Sequence, residues 1–118
     1  MTDSRTIYHA CRKSEWDAAV KAGRYGGSSQ DEADGFIHFS SADQVIASVA
    51  KHRAGQDGLM LVAADAGRLG TSLRWEASRN GALFPHLYGA LPLEAVRWVA
   101  ALPLDPVTGQ HVFPVIED

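Results

Sequence analysis

The stretch that most constrains this chain is the continuous apolar run Gly58–Ala64 (GLMLVAA). A strand without polar alternation has no face to give to water, so it belongs at the centre of a sheet covered on both sides. The rest of the chain must supply neighbours and cover. Thr6–Arg12 (TIYHACR) is short and apolar-rich and reads as a first strand. Ser14 is placed to cap a helix over Glu15–Ala22, with Glu15 and Asp17 in its positive first turn and Gly23 as its stop. Arg24–Asp34 (RYGGSSQDEAD), rich in glycine, serine and acids, reads as a loop. Phe36–Ser40 (FIHFS) is a strand. Ser41 and Gln44 then have capping-box spacing, opening a second helix whose stripe of Ala42, Val45, Ile46 and Val49 should face the sheet before Gly55 ends it.

The second half reads as β. In Ser72–Ala77 (SLRWEA), Leu73, Trp75 and Ala77 alternate with Arg74 and Glu76. Asn80-Gly81 favours a tight turn into Leu83–Tyr88 (LFPHLY), where Pro85 argues for an edge strand or an extended loop. Ala95–Leu102 and Val112–Ile116 are the last strand candidates. Two main helices in the N-terminal half, followed by strands without βα alternation, mean an α+β fold. At 118 residues one domain spanning 1–118 is expected.

Composition removes several function classes. A net charge of −3 leaves no broad basic surface for nucleic acid. One cysteine, Cys11, permits neither an intrachain disulfide nor a Cys-rich zinc site, and is expected in the core. No apolar run is long enough to span a bilayer and the first residues carry no apolar leader, so a cytoplasmic protein is expected.

The candidates for chemistry are imidazoles and one glutamate. His9 shares a strand face with Ile7 and Cys11, which suits either a hydrogen-bonded core histidine or a ligand contact. His38 shares its face with Phe36 and Ser40, just ahead of a helix N-terminus that favours an anion, although Ser40 and Ser41 also suit simple capping. Glu76 is a surface partner of Arg74 if its face meets water, and a general base or stabiliser of positive charge if that face lines a cleft. Phe84-Pro85-His86-Leu87-Tyr88-Gly89 puts aromatic, rigid, titratable and permissive residues together, a pocket wall in character. Tyr25 leads a Gly26-Gly27-Ser28-Ser29 run able to fold over a ligand, though it is no phosphate loop by pattern. His9, His38, His86 and Glu76 offer donors enough for zinc or iron, but none stands in a local metal-binding spacing, and no metal is expected. His52 and His111 read as surface residues, and no Gly-x-Ser-x-Gly elbow supports serine hydrolysis.

The run Ile7-Tyr8-His9, then Trp16, Gly23 and Tyr25, then Gly35-Phe36-Ile37-His38-Phe39-Ser40 with Gln44, then Glu76 and Phe84–Gly89, resembles the bacterial family called domain of unknown function 952. The resemblance covers nearly the whole chain. It implies a fold similar to the ADP-ribosyltransferase superfamily, which also contains RNA 2′-phosphotransferases. In that superfamily a first-strand histidine contacts the adenosine ribose of NAD, an aromatic or hydroxyl residue follows on the second strand, and a late glutamate contacts the nicotinamide ribose. His9, Ser40 (or neighbouring Phe39) and Glu76 match by position.

The expectation is a small transferase or hydrolase on NAD, ADP-ribose or another phosphate-bearing nucleotide. Glu76, His86 and His9 are its catalytic candidates, and Tyr25, His38, Ser40, Phe84 and Tyr88 its binding candidates. Glu76 would stabilise an oxocarbenium-like ribose, His9 orient the ligand, and His86 handle a proton or phosphate oxygen. No tightly bound cofactor is expected, with NAD entering as substrate. The partner is a small nucleotide-like molecule, and the sequence names no protein partner. Three rivals stay open: a non-catalytic nucleotide or anion binding module, a metal-dependent hydrolase, and an interaction subunit.

Overall fold

The central apolar run becomes strand β4 (Leu59–Asp65), flanked antiparallel by β1 (Thr6–Arg12) and β8 (Val96–Leu102). This computed structural model describes residues 5–78 and 80–118. Alternation along β4 sends Leu59, Leu61 and Ala63 into one apolar cluster and Val62 and Ala64 into another. Helix α1 (Lys13–Ala22) covers the second cluster through Trp16 and Ala19. Helix α3 (Val45–His52) covers the first through Val45 and Val49, beside Tyr8 and Leu102. The strand is thus buried from both sides, as its composition requires. Each fully buried leucine or valine there contributes roughly 1.5–3 kcal/mol of transfer free energy.

A second antiparallel sheet has the order β3 (Ile37–His38), β6 (Leu83–Leu87), β5 (Leu73–Ala77). A Tyr8–Ser40 bridge ties it to β1, with paired 2.8 Å main-chain bonds. Ile37 and Leu87 on one face, with Leu73 and Trp75, pack against the α1-side core. The other face carries His38, His86 and Arg74 in one cross-strand row, with Glu76 opposite Phe84. A short ladder of β2 (Arg24–Tyr25) with β7 (Leu91–Pro92) completes the pairing. The class is α+β. Among the described residues no helix is long and apolar enough to cross a membrane.

Several expectations are corrected. Helix α1 begins at Lys13 with Arg12 as its N-cap, so Ser14 lies inside the first turn and Glu15 instead accepts the Arg12 N–H. Gly23 does end it, in the left-handed conformation. The 24–34 segment is no loop throughout. It contains β2 and helix α2 (Ser29–Asp34), because Ser28 and Asp31 form a capping box.

The regular part of α3 starts at Val45, past the turn that Ser41 and Gln44 hold, and ends at His52 before Gly55. Val45 and Val49 set its buried face, one helical turn apart. Ile46, about 100° round the axis, is 54% exposed. Pro85 stands in β6, the middle strand of its sheet. Phe39, next in register after His38, still donates its N–H to the Pro85 carbonyl at 3.0 Å, so the ladder there forgoes only the one bond that proline cannot donate. Val112–Ile116 forms no strand and runs as irregular chain. His111 is partly buried, with Nε2 donating to the Gln56 carbonyl at 2.6 Å.

Candidate functional site

The site is organised from beneath by Asp31. As the third residue of α2 it accepts the Ser28 N–H (2.7 Å) and Ser28 hydroxyl (2.9 Å) on Oδ2. Its Oδ1 accepts from the His38 main chain (3.1 Å) and from His38 Nδ1 (2.6 Å). Burial alone would raise this carboxyl. The hydrogen bond from the His38 ring, the nearby His9 imidazole and the main-chain bonds from Ser28 and His38 outweigh it and hold Asp31 ionised, well below the usual carboxylate range. Gly27, at φ +99°, permits the approach, since a Cβ there would lie 2.8 Å from that of Asp31.

His9 lies behind this pair, 4% exposed. Its Nδ1 is 2.6 Å from the His38 carbonyl, which can only accept, so the proton sits on Nδ1. Its Nε2 then accepts from the Tyr25 hydroxyl at 2.7 Å. Burial lowers the affinity of His9 for a second proton and raises the Tyr25 phenol far above its ordinary range, which fits this tautomer. Burial also pushes the Cys11 thiol up to about 12, as suits the core residue it is.

On the outer face, His86 Nδ1 donates to Glu76 Oε1 at 2.9 Å, and the Tyr88 hydroxyl donates to the same oxygen at 2.6 Å. These two bonds hold the Glu76 carboxyl below its ordinary value, and the same contact raises the Tyr88 phenol. The Phe36 ring stacks on His86 (4.2 Å between centroids) and tilts against His38 (4.5 Å). His38 and His86 meet edge to face at 5.4 Å. His38 Nε2 lies 3.2 Å from Asp34, and the Arg74 guanidinium sits 4.9 Å over the Tyr88 ring. Two imidazoles therefore stand side by side, each with Nδ1 fixed by a carboxylate. Such orientation is what acid–base work demands of histidine.

Of the residues expected at the site, His38, Glu76, His86 and Tyr88 come together, and partly buried Phe84 faces Glu76 across the ladder. His9 and Tyr25 form the buried layer beneath, where His9 meets the His38 carbonyl through Nδ1 and its Nε2 lies 3.5 Å from Asp31. Ser40 is buried in the bridge to Tyr8 and stands apart from the imidazole pair. Asp31, Asp34, Phe36 and Arg74 complete the cluster. The Ser28-x-x-Asp31 spacing was the available signal for the first of these. A cleft of about 560 Å³ lies elsewhere, lined by Arg5, Thr6, Ser41, Gln44, Trp75 and Leu83. It contains no imidazole, so the paired histidines and not the larger volume identify the candidate site.

The sequence pattern of a family described as "Protein of unknown function (DUF952)" matches residues 10–99. Solved structures of protein CC0527 from Caulobacter crescentus are similar over most of their length. Its crystal structure superposes with a TM-score of 0.86 at 47% identity, covering 91% of this chain and 93% of that one. The crystal structure of a double mutant gives 0.85 at 46%, with the same coverage. The solution structure gives 0.76 at 48%, covering 86% of this chain and 88% of that one. No curated protein matches the chain significantly.

Proposed function

The chain belongs to this family of unknown function, and from its site we propose an acid–base enzyme acting on a nucleotide-like substrate that carries phosphate or ribose. The observation that carries the reading is the pair His38 and His86, 5.4 Å apart, each aligned by a carboxylate on Nδ1. In this reading His86 Nε2 takes a proton from the attacking hydroxyl or water, with Glu76 stabilising the imidazolium that forms. His38, with Nδ1 on Asp31 and Nε2 facing Asp34, positions the face beside His86 and offers a donor to substrate only where Asp34 gives up Nε2. Arg74 supplies the fixed positive charge that an anionic substrate needs beside the carboxylates of Asp31, Asp34 and Glu76.

NAD and ADP-ribose fall within this substrate class. An ADP-ribosyltransferase-like reaction would use Glu76 to stabilise a cationic ribose, with His9 acting through His38 and not on the ligand. The rival is a binding module that uses the same face without turnover.

A screen of the purified protein with NAD, ADP-ribose and nucleotide mono- and diphosphates, read by melting shift and product chromatography, separates these. Turnover is expected with at least one. His86→Asn and Glu76→Gln should each lower it about a hundredfold or more while melting like the wild type. Binding without turnover would favour the module, and variants that react as the wild type does would remove the acid–base assignment.

A further inference from the structure

His38 meets an acid at each ring nitrogen, and the two contacts are unlike. Nδ1 lies 2.6 Å from Asp31, whose side chain is 3% exposed, and the same Asp31 oxygen also accepts the His38 main-chain N–H. Nε2 lies 3.2 Å from Asp34, and both side chains of that pair are 40% exposed. The first contact is short, buried and doubled by the backbone. The second is long for a charge-assisted hydrogen bond and open to water.

Both acids come from α2, and Asp34 is its last residue. The end of the helix is fixed by main chain, since Gly35 is left-handed and its N–H donates to the Asp31 carbonyl at 2.9 Å. Rotation about its own side-chain bonds is therefore enough to carry the Asp34 carboxylate into solvent. His38 has no such freedom. Asp31 holds both its Nδ1 and its main chain, and the Phe36 ring lies 4.5 Å from its own.

Proton counting says what can replace Asp34. A neutral imidazole carries one N–H, and Nδ1 uses it toward Asp31. Nε2 donates to Asp34 only when the ring holds a second proton and a positive charge. A group that takes the place of Asp34 must then accept a hydrogen bond, and it balances the ring only if it is an anion.

We infer that Asp34 holds the place of a substrate oxyanion at His38 Nε2, and that such an anion enters by displacing its carboxylate. The inference deepens the reading of the imidazole face as one for a phosphate-bearing substrate and rests on it. It makes Asp34 a specificity-determining residue. The empty site keeps His38 aligned on Asp31 with Nε2 already opposed by negative charge, and a ligand enters only in exchange for that charge. A neutral ligand leaves Asp34 where it is. An anionic one binds more weakly than it otherwise would, because it competes with a tethered acid.

Inorganic phosphate is the probe. Its binding to the wild type, Asp34→Asn and Glu32→Gln is followed at fixed pH and ionic strength through the NMR signals of the His38 and His86 rings. Asp34→Asn keeps the shape of the side chain and removes the competing charge. Glu32→Gln removes the same charge from an exposed position on the same helix. In the wild type phosphate should shift the His38 ring signals. Asp34→Asn should bind phosphate about fivefold tighter, the upper end of what an exposed ion pair is worth. Glu32→Gln should gain less than about twofold, as a screened charge away from Nε2. Both variants should melt like the wild type.

Equal gains from the two variants would reduce the effect to net charge and overturn the exchange. Unchanged or weaker binding by Asp34→Asn overturns it too. In either case phosphate that still moves the two rings leaves the phosphate reading of the face standing. Rings that phosphate fails to perturb in both the wild type and Asp34→Asn reject that reading, and the exchange with it.

Discussion

In the β1-β4-β8 sheet both faces of the middle strand are covered, by α1 on one side and α3 on the other. In the β3-β6-β5 sheet only the inner face is covered, and the outer one carries His38, His86, Arg74 and Glu76. One sheet spends its side chains on burial and the other on polar contacts between neighbours. The difference separates stability from chemistry within a single chain, and it can be broken at either end.

The largest effect belongs to the covered sheet. Leu61 is fully buried on β4, and Leu61→Ala should cost about 2–5 kcal/mol in a urea melt. Ligand affinity per folded molecule should hardly change. A melt near that of the wild type would mean that the α3-side core is looser than its packing indicates.

Asp31 joins the two regions, so its replacement should show in both. Asp31→Asn keeps the shape but returns one acceptor as a donor facing Ser28 and His38. A loss of roughly 2–4 kcal/mol is expected, because four hydrogen bonds converge on the carboxylate. Turnover should fall with it, since His38 loses the partner that orients it. Full activity with normal stability would make the buried dyad irrelevant to the outer face.

Acid should unpick the same layer in two steps. His9 folds with its proton affinity lowered, so the unfolded chain takes up a proton that the folded chain refuses. Stability from this group is complete above pH about 6.5 and declines as pH falls through that value. Asp31 has its folded pKa depressed, so its contribution is complete above about pH 4 and is lost as pH falls further toward the folded value. Both groups work in the same direction. Urea midpoints taken from pH 8 to pH 3 should fall in both windows. His9→Gln should flatten only the upper one, and Asp31→Asn only the lower. A His9→Gln slope that matches the wild type between pH 7 and 5 would show that His9 titrates freely.

Covered faces were legible because burial leaves a mark on composition. Gly58–Ala64 reads as an unbroken apolar run, and Leu73, Trp75 and Ala77 alternate with the outward Arg74 and Glu76. Outward faces are harder to read, because a charged residue facing water and one facing a partner histidine look the same in sequence. Glu76 illustrates this, since its bonds to His86 and Tyr88 depend on a hairpin that brings residues 10 and 12 positions away beside it. His9 was ambiguous for the opposite reason. Its apolar neighbours were evident, but its partners Tyr25 and His38 come from other elements. Asp31 hid in a stretch whose glycines and serines suggest a loop, although Ser28 and Asp31 have the spacing of a cap.

The smallest expected effect separates two serines that share that capping pattern. Ser28 is the N-cap of α2, and its hydroxyl accepts from Asp31 N at 3.3 Å while donating to the Asp31 carboxylate. Ser41 lies ahead of α3, whose N-cap is Gln44. Its main-chain N–H donates to the Gln44 side chain, and its hydroxyl turns to Asp43. Ser28→Ala should therefore cost about 1 kcal/mol, and more if Asp31 shifts with it. Ser41→Ala removes only an exposed contact and should stay within about 0.5 kcal/mol. Because Ser28 also supports the residue that fixes His38, its variant should lower turnover where Ser41→Ala leaves it alone. Equal losses from the two would place a working cap on α3, four residues before its first regular turn, and would make the buried network around Asp31 no more demanding than an ordinary surface turn.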